Sequence, residues 1–408
     1  MGRDAHARGL PLTITRRLPD TRHLVLTAGV AIAATAVFLL VSRALIDDAY
    51  ITMAYARNLA FHLHWGMIDE PANSATSPLN VIALGAITAV VRDGVVAVGV
   101  LFVGSAVLAA RWLAELAADT GLGRALPVVV VGSLLVNPLL LSTVGLEPYL
   151  TAALWAGLLR YGVARRPVAF GVVAGLAVLA RPDMAVGLGR VSLGLPPGWA
   201  RAVGAGASGT PPSVAFSWFA PPPAFPDTLL MKANETWESF GFWNGPLLYL
   251  ESFPAVAALA FLPVLAGLAA LVGLLALRLR DAWARAGVAA GLGAVGHYGA
   301  YCLLHTAPYH WYYAPLIVGT TLCAAIVAVR ARWGMVAAAV LACAALVVDL
   351  QHGVPWTRAA ISTNWATAAE YERMGTDLRR IVGPAAVESP GEIGTLAYYC
   401  DCAIVDAF

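Results

Sequence analysis

LVLTAGVAIAATAVFLLVSRALIDDAY, Leu24 to Tyr50, decides the class of this chain. Leu24 to Val41 is an uninterrupted uncharged run, near the ~20 residues that an α-helix needs to cross ~30 Å of hydrocarbon. Pro254 to Leu277 is a longer run of the same kind, and further apolar segments recur between them. Over all 408 residues 59% are hydrophobic and 12% charged, with mean hydropathy +0.73. Soluble domains carry about a quarter charged residues, so this composition belongs in a bilayer.

Arg3, Arg8, Arg16, Arg17 and Arg22 precede the first run. No small-residue cleavage site follows it; Arg43-Ala-Leu-Ile-Asp-Asp continues instead, so the run reads as an uncleaved span rather than a secretory signal. Arginines gather on the cytoplasmic side, which predicts a cytoplasmic tail over 1–22 and sends the loop 43–77 outside. Arg160, Arg165 and Arg166, then Arg278, Arg280 and Arg285, then Arg330 and Arg332, read as cytoplasmic loops. Spans fall near Pro254 to Leu277, Ala286 to Leu304, Pro315 to Val329 and Trp333 to Val348. Counting crossings brings Met231 to Glu251, His305 to Tyr313 and the tail from Gln351 to the outer side with Asp48. In the middle, Leu79 to Val91, Val95 to Ala110 and Leu126 to Leu141 make an odd number of segments. Three full crossings there would put Arg160 to Arg166 outside, so either one segment is re-entrant or the rule is broken locally.

The net charge of +2 says nothing about nucleic acid, and no nucleic-acid partner is expected. No Walker loop and no dinucleotide fingerprint is present, so soluble nucleotide chemistry is not indicated. Gly187 to Pro212 is rich in Gly and Pro and reads as a loop. Transmembrane sequence is expected over 23–350 and an extracytoplasmic segment over 351–408. In that segment Thr367 to Arg380 is helix-like, Ala385 to Val387 strand-like, and Pro390-Gly391 a turn before a second strand at Ala403 to Val405. Cys302, Cys323 and Cys343 are expected as small core residues. Cys400 and Cys402 have no second pair for a tetrahedral zinc site, and neighbours one apart rarely bridge each other.

The chemistry-bearing residues cluster on the outer side. Asp47-Asp48-Ala49-Tyr50 follows the first span, then Arg57-Asn58-Leu59, then Thr76-Ser77-Pro78-Leu79 at the start of the next helix. Further along stand Gly145-Leu146-Glu147-Pro148, Leu179-Ala180-Arg181-Pro182-Asp183, Phe225-Pro226-Asp227-Thr228 with Lys232, and Tyr309-His310-Trp311-Tyr312-Tyr313. The tail adds Gly391-Glu392-Ile393-Gly394, Tyr398, Tyr399 and Ile404-Val405-Asp406. In this order the set resembles GT-C-type membrane glycosyltransferases, and among them the actinobacterial polyprenyl-phosphate-dependent arabinofuranosyltransferases and their uncharacterised relatives. Two departures stand out. Gly187 to Pro212 replaces what is usually hydrophobic in relatives, and relatives continue beyond the position of Phe408, so the tail is expected to be truncated relative to them.

The resemblance implies an all-α polytopic membrane bundle, GT-C-like, with about 9–11 transmembrane helices and a small α/β extracytoplasmic C-terminal appendage. It implies transfer of a sugar, with arabinofuranose the first candidate, from a polyprenyl-phosphate donor to a cell-envelope glycan or protein acceptor on the outer face of the plasma membrane. An inverting transfer needs a carboxylate to take the proton of the attacking hydroxyl, worth roughly 10² to 10⁴ in rate; the resemblance gives Asp48 or Asp47 that role. A lipid-phosphate leaving group needs a preorganised cation. Lys232, the only lysine, is the first candidate, with Arg57 and His310 beside it. Glu147, an ionisable group in apolar sequence, is expected at the substrate with Asp227, Arg181 and the aromatic wall Tyr309, Trp311 and Tyr312. No obligate cofactor is expected, and a divalent cation is left open. The rival readings are a transporter or flippase of lipid-linked sugars, in which intramembrane charges line a path, and a catalytically inactive membrane partner.

Overall fold

The computed structural model describes residues 21–67, 75–185, 239–383 and 385–406. The N-terminal tail, the Gly- and Pro-rich stretch, Asp227 and Lys232 lie outside the described residues. In chain order come α1 (Thr21–Val41), α2 (Asp47–His62), α3 (Pro78–Val91), α4 (Gly94–Thr120), α5 (Leu126–Leu135) and α6 (Pro138–Leu141). Next are α7 (Pro148–Val163), α8 (Pro167–Ala180), α9 (Gly245–Ser252), α10 (Pro254–Ala276) and α11 (Ala282–Leu303). A 3₁₀ turn (His310–Tyr313) leads into α12 (Ala314–Ala328) and α13 (Arg332–Gln351). Among the described residues, five helices are long and apolar enough to cross a membrane: His23–Val41, Gly94–Thr120, Pro254–Ala276, His310–Ala328 and Arg332–Gln351. Shorter apolar helices, Pro78–Val91, Leu126–Leu135 and Pro167–Ala180, pack among them.

Local sequence explains the breaks. Asn137 stops α5 and starts α6: its side-chain oxygen accepts from Leu140 N while its amide donates to the Ala260 carbonyl of α10, and Pro138 needs no donor at the first helical position. Without a hydrophobic force between helices in lipid, close approach depends on small residues. Gly267 of α10 accordingly sits where any Cβ would strike the Thr320 carbonyl of α12.

Contacts at the helix ends bear on the odd count in the middle of the chain. Asn80, at the start of α3, donates to the Gly145 carbonyl, and Gly145 abuts Ala49 of α2. Gly94, just past the end of α3, lies against Met53 of α2 and against Tyr398. The start of α3 and the start of α4 that follows it therefore both lie against α2 or its neighbours. The opposite face gathers the arginines: Arg160 pairs with Glu115 and Asp119 at the far end of α4, Gly123 packs on the Val329 carbonyl, and Arg330 lies 4.3 Å over the Trp283 ring. An α3 that lies along α2 without crossing would put the three basic clusters on one face, as the positive-inside rule asks.

After α13 the chain crosses the mouth of the bundle, where Trp356 N donates to the Leu40 carbonyl at the end of α1 and Ile361 N to Ser142 Oγ. α14 (Ala368–Val382) opens with a capping box between Thr367 and Glu370. Two short strands, β1 (Val387–Ser389) and β2 (Ile404–Asp406), pair in parallel with Val387 opposite Ile404, and α15 (Gly394–Cys400) connects them. The expectation that Cys400 and Cys402 stay apart is overturned: they form a disulfide. The left-handed residue Asp401 between them (φ 54°) folds the chain back far enough to bring the two sulfurs together. Of the other cysteines Cys323 is buried, Cys302 half-buried and Cys343 exposed, so only Cys323 is the core residue expected.

One buried group is at odds with its surroundings. Asp349, near the end of α13, is 6% exposed, and neither carboxylate oxygen has a hydrogen-bond partner among the described residues. An unsatisfied buried polar group costs roughly 1–3 kcal/mol. Asp349→Leu should therefore raise the melting temperature of the detergent-solubilised protein. A fall instead would show that the carboxyl meets a partner that holds it.

Candidate functional site

α2 lies within the loop expected over 43–77, and its first turn carries both acids. Successive helix positions point about 100° apart, so Asp47 and Asp48 face different neighbours. Asp47 Oδ2 accepts from Gly394 N at 2.8 Å and Oδ1 from Thr395 N at 2.7 Å, the first main-chain donors of α15. Burial raises its carboxyl to about 6, against the pull of those donors and with help from the Asp48 charge. Such a value would suit a base, yet both oxygens are occupied by main-chain donors, and reach to a substrate proton comes before pKa. Asp48 is half-buried, with Thr52 Oγ1 donating to its main-chain carbonyl.

Behind α2 lies the loop from Ser142 to Glu147. Gly145, at φ 101°, brings this loop against Ala49, and any Cβ there would lie 2.6 Å from the Ala49 Cβ. Two residues on, Glu147 enters a buried ionic cluster. Arg181, the residue after α8, is 4% exposed and donates through Nη1 to Glu147 Oε1 at 2.8 Å. Its Nε and Nη2 donate to Asp183 at 2.8–3.1 Å. Asp183 Oδ2 also accepts from His297 Nε2 and Tyr301 OH of α11, both at 2.6 Å. Tyr312 covers the guanidinium at 5.5 Å, and Tyr301 and Tyr312 are 5.3 Å apart. The sequence had set Glu147 and Arg181 at the substrate; the structure joins them to each other. Asp183, His297 and Tyr301 went unnamed as site residues, although a lone histidine in an apolar span is the usual mark of such a partner.

The aromatic run divides. Tyr309 stacks on Trp311 at 4.6 Å, and both it and Tyr312 are half-buried, while Trp311 is 7% exposed. His310 is 1% exposed and packs edge-on to Tyr249, so its imidazole sits in the bundle rather than open to a phosphate. Arg57 is likewise engaged, donating to Asp401 Oδ1 at 2.7 Å and to the Tyr398 carbonyl at 2.8 Å. Among the described residues no three His, Cys, Asp or Glu side chains gather as a metal site.

Comparison with known proteins bears on the fold. No family model matches the chain, and no curated protein matches it significantly. Solved structures do. ArnT from Cupriavidus metallidurans in the apo state is 18% identical at TM-score 0.55, over 93% of this chain and 74% of that one. The same protein bound to undecaprenyl phosphate is 17% identical at 0.53, over 93% and 75%. The Archaeoglobus fulgidus oligosaccharyltransferase in its apo form is 11% identical at 0.60, over 96% and 65%. At these identities the likeness is one of fold: this chain shares the fold of ArnT and of the archaeal oligosaccharyltransferase.

Proposed function

We propose that this membrane protein transfers a sugar from a polyprenyl-phosphate donor to a cell-envelope glycan or protein acceptor, with Asp48 as general base and the N-terminus in the cytoplasm. The observation that carries the reading is the division of the acidic pair at the start of α2, on a fold shared with a protein solved bound to undecaprenyl phosphate. Both oxygens of Asp47 are taken by the main chain of α15, and the reading therefore gives the role of base to the second acid of the pair, Asp48.

In the step proposed, Asp48 takes the proton of an acceptor hydroxyl as its oxygen bonds to the anomeric carbon. The bond from that carbon to the phosphate oxygen breaks, and polyprenyl phosphate leaves with the electron pair. The leaving anion needs a cation at its oxygens. Because Arg57 and Arg181 are held by Asp401 and by Glu147 with Asp183, the assignment rests on Lys232. The half-buried rings of Tyr309 and Tyr312 are assigned to the wall of the sugar site. A divalent cation remains an optional partner.

The test is transfer of radiolabelled sugar from synthetic polyprenyl-phosphate donors by purified protein, arabinofuranose and mannose in parallel, with and without a chelator. Product from one donor establishes the activity and its sugar. No product from any donor, with folded protein, returns the chain to the transporter or inactive-partner reading.

A further inference from the structure

α15 is held on α2 at both of its ends. At its start, Asp47 accepts from Gly394 N and Thr395 N. At its end, Arg57 donates to the Tyr398 carbonyl, pairs with Asp401, and lies 5.0 Å over the Tyr398 ring. An anion at the first donors and a cation at the last acceptors are the two placements that complement the dipole of a helix. Asp47 and Arg57 stand on one side of α2, and Tyr50 between them meets the rings of both Tyr398 and Tyr399 at 5.6 and 5.7 Å. The fit is close at both contacts that allow no side chain. A Cβ on Gly394 would collide with the Asp47 carbonyl, and one on Gly94, at the start of α4, would lie 2.5 Å from Tyr398 OH. The Cys400–Cys402 disulfide closes directly around Asp401, which fixes the carboxylate that Arg57 reaches.

α2 is thus packed between the Gly145 loop on one side and α15 on another, and Asp48 sits on the turn that Asp47 pins. We infer that Asp47 and Arg57 are positioning residues for the transfer reaction, clasping α15 onto α2 so that the helix bearing Asp48 cannot shift. The inference rests on the transfer reading. A misplacement of about 1 Å costs on the order of 100-fold in rate, so a clasp over 300 residues distant in sequence can govern turnover without touching substrate.

The experiment takes the full chain in detergent or nanodiscs, with Asp47→Ala, Asp47→Asn, Arg57→Ala and the Asp47→Ala/Arg57→Ala double variant. Each is measured for kcat and donor KM and for hydrogen exchange of the α2 and α15 amides. Folded variants are expected to lose roughly 10- to 100-fold in kcat with donor KM little changed. Asp47→Asn, which keeps one acceptor oxygen, should retain part of the rate. The double variant should lose little more than the worse single one, because either opening frees the same helix. Faster exchange should appear in α15 and in the first turns of α2. Unchanged kcat in folded variants, or a loss that only tracks the folded fraction while α2 stays protected, overturns the inference. A wild-type protein that transfers nothing sinks the transfer reading instead, and the exchange measurements then decide the clasp alone.

Discussion

Asp48→Asn should abolish most transfer while leaving the protein folded and the donor bound. The amide has the size of the carboxylate but cannot accept a proton at neutral pH, so the attacking hydroxyl must lose its proton to water. General-base catalysis contributes roughly 10² to 10⁴ in rate, about 3–5 kcal/mol of barrier. Little stability should go with it. Asp48 is half-buried, and asparagine keeps the volume and shape of its side chain. The measurement is single-turnover transfer beside equilibrium binding of the donor. A fall in rate of that size with unchanged donor affinity marks an interaction made in the transition state. If the rate falls less than about tenfold, Asp48 is not the base, and the carboxylate must be sought in the residues beyond the described ones or in Glu147.

Much of this architecture was legible in the sequence because the bilayer makes it so. A helix that must satisfy every backbone group internally announces itself as an apolar run, and α1, α10 and α13 fall where those runs do. The C-terminal segment was legible too: the helix expected from Thr367 to Arg380 runs Ala368–Val382, and the two strands begin one or two residues later than read. α3 was harder. Its fourteen residues are as apolar as a span, and only the contacts of Asn80 with Gly145 and of Gly94, just beyond it, with Tyr398 show that the chain before and after it returns to α2 and its neighbours.

The site was legible as residue types and much less as partners. Asp47 and Asp48 are indistinguishable in sequence; what separates them is a helix that returns nearly 350 residues later to donate to one of them. Arg57 was read as free to hold phosphate, because nothing near it in the chain announces Asp401. Glu147 and Arg181 were read as separate contributors, since pairing depends on how α7, α8 and α11 meet. The Cys-Asp-Cys bridge escaped for a local reason: it needs a left-handed residue, and Asp is among the few non-glycine residues that adopt that conformation.

Arg181→Ala should cost more stability than any other single change in the described bundle. The guanidinium is 4% exposed and supplies hydrogen bonds to two carboxylates and the Tyr301 hydroxyl. Removing it leaves Glu147 and Asp183 as uncompensated charges in a low-dielectric interior, with His297 and Tyr301 as the remaining donors among the described residues, both on Asp183. Taking one partner from a buried pair costs about 3–5 kcal/mol, a large share of the roughly 5–15 kcal/mol that holds a domain together. Arg181→Ala should therefore accumulate poorly and melt well below the parent in detergent, and Arg181→Lys should restore only part of the loss because one ammonium cannot span both acids. The decisive variant is Arg181→Met with Glu147→Gln and Asp183→Asn. If unpaired charge causes the loss, neutralising both acids recovers most of the melting temperature even though three hydrogen-bonding groups have changed. If the triple variant is as unstable as Arg181→Ala, packing against Tyr312 rather than charge holds this corner. The same comparison reaches the site, since Glu147 closes the loop whose Gly145 backs α2: recovered stability without recovered transfer would mean that the cluster also sets where Asp48 stands.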